Sequence, residues 1–410
     1  MSTFRKLLLV CVAASLCLAM AVNAQDAPVG RGGAGAPDGR GAAAGRGARG
    51  MRGRGGAAVS SPEIADDNKV TFRISAPEAN SASIRGDWGG QGVEMAKDAN
   101  GLWSVTVGPL ESELYGYTFN IDGAQVWDPA NNQLKRDGTR ITSVLIIPGE
   151  KGDLYSVKDV PHGTLSKVWY DSPTLNLKRR MYVYTPPGYE TSGENYPVFY
   201  LLHGSGGDED AWTSLGRTPQ ILDNLIAAGK AKPMIVVMTN GNANQSAAPG
   251  AAPAGAQGSA MAAVNSTQFP ESLVKDVIPF IEKSYRTLKD KNSRAIAGLS
   301  MGGSHTLMAT NNYPEMFDYI GVFSSGPREN YRVPYDDKFK EQIAALGKTD
   351  VVLYYVGCGV DDTMAKGGAD NLVNSLKENG FNYKYSETPG GHTWANWRIY
   401  LSELAPLLFK

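Results

Sequence analysis

Two periodicities divide the chain. Between Asn68 and Pro148, short runs alternate apolar and polar residues: Val70–Ile74, Ser83–Arg85, Leu102–Val107, Tyr115–Ile121 and Thr142–Ile147. A period of two marks strands with one buried face. Asp98-Ala99-Asn100-Gly101 and Asp122-Gly123 stand between such runs as hairpin turns. No stretch there keeps a helical period, so the spacing predicts an all-β sandwich of roughly 90 residues. From Leu165 onward the pattern changes class. Leu165–Tyr170 and Arg180–Thr185 read as strands, followed by the apolar runs Val198–Leu202, Met234–Met238, Ala295–Ala297, Ile320–Phe323, Val351–Val356 and Tyr383–Glu387. Helical patterns such as Ser272–Tyr285 and Ala369–Asn379 lie between them. Continuous apolar strands alternating with helices predict an α/β domain with a mostly parallel sheet covered on both faces.

The first residues fit neither pattern. Arg5 and Lys6 precede the apolar run Leu7–Val22, and Val22-Asn23-Ala24 offers small residues where a signal peptidase reads. Residues 1–24 are therefore expected to be an export signal cleaved before Gln25, the run being shorter than the roughly 20 residues needed to span a bilayer. Val10 and Leu16 before Cys11 and Cys17 are too large for a lipoprotein signal. The exported chain keeps only Cys358, so its folding rests on core burial and not on disulfides. Residues 25–58, mostly Gly, Ala, Arg and Pro, read as a disordered linker. The arginines Arg31, Arg40, Arg46, Arg49, Arg52 and Arg54 resemble an RNA-binding tract, but export and the absence of stacking aromatics argue against that. A second low-complexity stretch, 247–263, reads as a mobile surface insert. The expected domains are thus 59–160 and 161–410. With 410 residues, 42% of them hydrophobic, two cores are within reach. Lys and Arg number 40 against 41 Asp and Glu, which argues against a polyanionic partner such as nucleic acid.

The chemistry concentrates at the ends of the α/β strands. Gly298-Leu299-Ser300-Met301-Gly302 follows an apolar strand and opens a helical segment. That is the context of a nucleophile elbow, where a tight turn demands glycine on both flanks and exposes the Ser300 hydroxyl. The hydroxyl needs a base, and the chain has 4 histidines. His162 lies in the interdomain connection, His203 ends a strand, and His305 sits five residues beyond Ser300 and so on another helix face. His392 remains, in Pro389-Gly390-Gly391-His392 after the last strand, a loop able to reach back to Ser300. The carboxylate that orients the imidazole is expected between the two in the chain, and Asp361-Asp362 follows strand Val351–Val356. A Gly-x-x-Asp turn counted from Gly359 selects Asp362, with Asp361 as the alternative. The oxyanion donors are expected to be the backbone amides of Met301, next to the nucleophile, and Ser205, in the Gly-rich run Gly204–Gly207. There is no His-Glu-x-x-His, Cys pair or phosphate loop, so neither metal nor cofactor is expected.

Two resemblances follow from these residues. Val70-Thr71-Phe72-Arg73-Ile74-Ser75-Ala76-Pro77, Gly86-Asp87-Trp88, Gly101-Leu102-Trp103 and Tyr115-Gly116-Tyr117-Thr118-Phe119 resemble the early-set, family 48 type of carbohydrate-binding module, an immunoglobulin-like sandwich. Trp88, Trp103 and Trp127 could stack on sugars, although Trp103, inside an alternating strand, reads as core. The second domain resembles the feruloyl esterases of carbohydrate esterase family 1, within the esterase D-like α/β-hydrolases. Tyr184-Thr185-Pro186-Pro187-Gly188-Tyr189, Leu201-Leu202-His203-Gly204, Asp276-Val277-Ile278-Pro279, Ala297–Gly303 and Gly390-Gly391-His392-Thr393-Trp394 carry that likeness. It implies a secreted or periplasmic serine esterase releasing feruloyl groups from plant cell-wall xylan through an acyl-enzyme, with plant polysaccharide or feruloylated oligosaccharide as its expected partner and no stable membrane span after signal cleavage. Trp212 and Trp394 are candidates for lining the acyl or sugar site. Acetyl xylan esterase and siderophore esterase are rivals of the same class, and a non-catalytic glycan-binding protein is the rival of a different one. The insert 247–263 departs from the family pattern.

Overall fold

The computed structural model describes residues 59–247 and 267–410. The expected signal (1–24), the expected linker (25–58) and nearly all of the insert (247–263) lie outside the described residues. The described residues all belong to one compact unit, Ala57–Lys410.

Ten strands form the first part: β1 Glu63–Ile64, β2 Val70–Ser75, β3 Ala82–Gly86, β4 Val93–Glu94, β5 Ala96–Lys97, β6 Leu102–Val107, β7 Leu114–Ile121, β8 Ala124–Val126, β9 Leu134–Asp137 and β10 Arg140–Ile146. They make two antiparallel sheets, β1-β2-β6-β5 and β4-β3-β7-β10-β9, with β8 paired to β7. The alternation works as written: Val70, Phe72 and Ile74 of β2 are buried while Thr71, Arg73 and Ser75 are not. They share one core with Trp103 from their own sheet and with Ile84, Tyr117, Phe119 and Leu145 from the other. Trp103 is buried and donates its indole N–H to the Ala76 carbonyl at 2.9 Å, so it serves the core. Trp88 packs on Phe72, while Trp127 is 51% exposed.

The second part is a sheet of eight strands, β11 Thr164–Ser172, β12 Leu177–Thr185, β13 Val198–Leu202, β14 Ile235–Thr239, β15 Arg294–Leu299, β16 Tyr319–Phe323, β17 Leu353–Gly359 and β18 Tyr383–Thr388, in the order β11-β12-β14-β13-β15-β16-β17-β18. The two pairings of β12 are antiparallel and the other five are parallel. Every residue of β13, β14 and β16 is buried, as expected for strands covered on both faces. One core cluster takes Ile296 and Val322 with Leu307, Ile343 and Leu372; the other takes Ala297 and Phe323 with Leu222 and Tyr400. Neighbouring residues of β15 and β16 thus point to opposite helical layers. The expected helix Ser272–Tyr285 starts earlier and is interrupted: Gln268–Ser272 and Ile278–Ser284 flank a wider turn at Leu273–Val277.

Strand order reverses beside β13, since β14 lies on one side of it and β15 on the other. A crevice opens at such a switch point, at the carboxyl ends of the strands. The loops leaving β13 and β15 are therefore neighbours. The front sheets join this region through ion pairs. Arg136 in β9 makes two 2.7 Å bonds to the Asp208 carboxylate, and buried Arg398 donates to Glu113 and to the Leu215 carbonyl, each at 2.9 Å.

Candidate active site

Ser300 occupies a backbone conformation that side chains rarely adopt, with φ 52° and ψ −112°, between β15 and the helix Met301–Asn312. Its flanks explain why the turn holds. A Cβ at Gly298 would lie 2.3 Å from the Gly302 carbonyl, and one at Gly302 would lie 2.5 Å from the Leu202 carbonyl oxygen. Two glycines let the chain double back against itself and against β13, while the Ser300 amide donates to the Phe323 carbonyl at 2.8 Å. The strain is local and held by hydrogen bonds on both sides.

His392 follows β18, and its Nδ1 lies 2.8 Å from Oδ2 of Asp362, which follows β17. The other Asp362 oxygen accepts the amides of Met364 at 3.2 Å and Ala365 at 3.0 Å. Burial opposes ionisation of Asp362, but bonding to His392 and the imidazole charge, then Ser324 and the Ala365 amide, outweigh it and hold the carboxyl below the usual value of 3.8. An ionised Asp362 makes Nδ1 the donor and leaves Nε2 with its lone pair free. Asp361 is exposed, and its backbone amide is tied to the Gly390 carbonyl.

The other histidines are placed otherwise. His162 pairs with Asp223 at 2.9 Å. His305 is fully buried, and burial first, then the charges of His203 and Arg332, press its pKa down to about 3. Buried His203 donates from Nδ1 to the Gly204 carbonyl at 2.7 Å and accepts the Gly241 amide on Nε2 at 2.8 Å. Burial chiefly lowers its pKa against the Gly204 bond. It is a neutral pin for the loop Gly204–Gly207.

Ser300 and His392 line a cleft of about 250 Å³ together with Asp137, Ser205, Trp394 and Trp397. They also line a much smaller lobe of about 10 Å³, walled by Ser324, Arg328, Tyr331 and Met364. A third cavity of about 410 Å³, between the front sheets and the α/β region, shares Asp137, Leu215, Thr393 and Trp394 with the cleft. Ser205 also lines the cleft, and its Oγ accepts from Arg332 at 3.1 Å. Met301 begins the helix after Ser300, where backbone amides lack partners within the helix.

One expected site residue is corrected. Trp212 is 1% exposed, donates its indole N–H to the Leu202 carbonyl and meets Trp394 edge to face at 5.2 Å. It backs the cleft wall without facing the cleft, because its ring is the filler between β13 and the helix Trp394–Leu404. Trp394 does line the cleft. Asp137, Leu215, Arg328, Tyr331 and Arg332 reach the site from elements whose sequence carries no catalytic pattern. Among the described residues no group of three or more His, Cys, Asp and Glu is arranged to hold a metal, and no helix is long and apolar enough to cross a membrane. A hydroxyl on a strained turn, an imidazole on the same cleft and a carboxylate fixing its tautomer are the parts needed for nucleophilic acyl transfer.

Comparisons with known proteins agree with this chemistry. A family model described as "Putative esterase" matches residues 172–408. An endo-1,4-beta-xylanase/feruloyl esterase of Xylanibacter ruminicola is 33% identical over 357 residues, covering 85% of this chain and 46% of that protein. The chain spans about half the length, or less, of the first curated relatives it matches. Among solved structures, a CE1 ferulic acid esterase of the anaerobic fungus Anaeromyces mucronatus is 24% identical with a TM-score of 0.53, covering 63% of this chain and 95% of that one. The enterobactin esterase of Shigella flexneri is 17% identical with a TM-score of 0.59, covering 82% of this chain and 92% of that one. At these identities the structures speak for the fold, an α/β-hydrolase.

Proposed function

The chain belongs to the esterase family whose model spans residues 172–408, and from that premise we propose that it hydrolyses hydroxycinnamoyl esters, feruloyl above all, on plant cell-wall xylan. Ser300 is the nucleophile, His392 the base and Asp362 its orienter. The observation that carries the reading is the 2.8 Å bond from His392 Nδ1 to buried Asp362, with the imidazole and the strained Ser300 on one cleft. His392 takes the Ser300 proton as the hydroxyl attacks the carbonyl, and the amides of Met301 and Ser205 hold the oxyanion. The sugar alcohol leaves with that proton. Water, activated by the same imidazole, then releases the acid and restores Ser300.

The substrate class draws on the printed activity of the Xylanibacter ruminicola relative, whose match extends over the front sheets as well. Export by the amino-terminal signal and a family 48 type of front module complete the reading. The open side of the site supports it: the cleft shares Asp137 with the 410 Å³ cavity bordered by the front sheets, where Asp87, Lys135 and Arg140 offer polar partners for a sugar. That leaves the enclosed lobe beside Ser300 for the acyl group. Its size, about 10 Å³, favours a second reading, acetyl ester hydrolysis.

Turnover of methyl ferulate, p-nitrophenyl acetate and acetylated xylan, with Ser300→Ala as the blank, tests both. Release of ferulate that depends on Ser300 is the expected result. Turnover of acetyl esters alone moves the enzyme to deacetylation, and no turnover of any ester removes the catalytic reading.

A further inference from the structure

The nucleophile follows β15, the strand that lies between β13 and β16. A contact between the loops that leave β13 and β16 therefore bridges the two strands that flank β15. One such contact exists. Arg332, in the segment after β16, donates from Nη2 to Oγ of Ser205, in the segment after β13, at 3.1 Å.

The segment carrying Arg332 is built to project. Its base is closed by the Arg328 amide on the Val333 carbonyl at 3.0 Å and the Tyr335 amide on the Arg328 carbonyl at 3.3 Å. Asn371 ties the neighbouring Pro327 carbonyl at 3.0 Å. At the tip, the guanidiniums of Arg328 and Arg332 lie 4.1 and 5.4 Å from the centre of the Tyr331 ring. Tyr331 and Arg328 wall the small lobe beside Ser300 and His392. Arg332 Nη1 is buried with no hydrogen-bond partner among the described residues, so the guanidinium is held at the tip by its single bond to Ser205 and by the ring it stacks on.

We propose that the Arg332–Ser205 contact is a latch that sets the size of the acyl group admitted at Ser300. Closed, it holds Tyr331 against the lobe, whose volume of about 10 Å³ leaves room for no more than about one water-sized group. An aromatic ring needs roughly 150 Å³, the size of a cavity that takes benzene. The ring is accommodated only when the tip lifts. A single hydrogen bond to an exposed hydroxyl is a small barrier to that movement. Arg332 touches no reacting atom; it acts through Tyr331 and the loop as a positioning residue. The inference rests on the Ser300 reading and adds the determinant of acyl size.

The test compares kcat/KM for methyl ferulate and p-nitrophenyl acetate in the wild type, Arg332→Ala, Ser205→Ala and Arg332→Lys. Ser205→Ala keeps the backbone amide and removes only the latch acceptor, so effects on the oxyanion fall on both substrates and cancel in the ratio. Releasing the latch is expected to raise the ferulate-to-acetate ratio about tenfold in both alanine variants, the scale on which pocket size discriminates. Arg332→Lys, which can still donate to Ser205, stays near the wild-type ratio. A ratio within about twofold of wild type in both alanine variants, or one that falls, overturns the latch while Ser300-dependent turnover leaves the catalytic reading standing. Activity that persists in Ser300→Ala overturns the catalytic reading, and the latch with it.

Discussion

Replacing Asp362 by Asn tests the heart of the site because the surroundings dictate which way the new amide turns. One Asp362 oxygen accepts the Met364 and Ala365 amides, and the other receives His392 Nδ1. An asparagine NH2 facing two backbone N–H groups at that range would set donor against donor. The side-chain carbonyl must take that side and the NH2 must face the imidazole. His392 Nδ1 then becomes an acceptor, its proton moves to Nε2, and Nε2 can no longer receive the Ser300 proton. Loss of the correct tautomer together with the charge that stabilises the imidazolium lowers kcat by roughly 10⁴, about 5 kcal/mol of barrier. Asp361→Asn, exposed and bonded through its backbone, is expected to stay within about threefold, as surface changes away from a site do. Steady-state hydrolysis of p-nitrophenyl acetate measures both variants, with circular dichroism to show that each is folded. More than a tenth of wild-type kcat in Asp362→Asn, or a greater loss in Asp361→Asn, refutes the assignment.

Three further outcomes follow from burial. Because the folded Asp362 carboxyl titrates below 3.8, its interactions add stability above that value and lose it as pH falls through the lower folded value; the gap in urea midpoint between wild type and Asp362→Asn should therefore shrink on acidification, and a gap that widens contradicts the sign. Arg398→Ala removes the partner of Glu113 at a junction only 3% and 11% exposed, which should cost about 3–5 kcal/mol in urea unfolding, whereas a loss under about 1 kcal/mol would mean that the junction is wetter than its geometry. The Cys358 thiol, raised to about 12 chiefly by burial and then by the Asp362 charge, should resist a thiol reagent in the native protein and react once unfolded; rapid native labelling with loss of activity would contradict its placement.

Most of the strands were legible because they carry their own pattern. Leu102–Val107 and Val198–Leu202 are found where alternation and continuous apolarity put them. The short strands β1, β4, β5 and β8 were not, since two or three residues are too few to establish a period and their pairing comes from the neighbouring strand. The helix Thr218–Ala227 lacked a conventional start: Arg217 precedes it in a left-handed conformation, with φ 56° and no side-chain cap. The helix interrupted at Leu273–Val277 shifts its apolar face by the wider turn, so its period does not run through to Tyr285.

The site divides along the same line. Ser300, His392 and Asp362 are legible as candidates because each follows a strand and acyl-transfer chemistry prescribes their order. Trp212 could not be judged, since a tryptophan beside a Gly-rich loop reads alike whether it faces a ligand or fills the space behind one. What decides is the third dimension: Trp212 gives its N–H to Leu202 and its edge to Trp394, so its ring serves the wall. Asp137 and Arg332 carry no motif at all. Asp137 lines the cleft next to Arg136, which is clamped on Asp208, and Arg332 reaches Ser205 from the segment after β16, two positions from β13 in the sheet. The candidate reacting groups are thus written locally, whereas the surroundings of the cleft are written in contacts as distant as the 127 residues between Ser205 and Arg332. On the proposed function, a change of substrate preference is therefore expected to arise through substitutions that leave every recognisable motif of the candidate site intact.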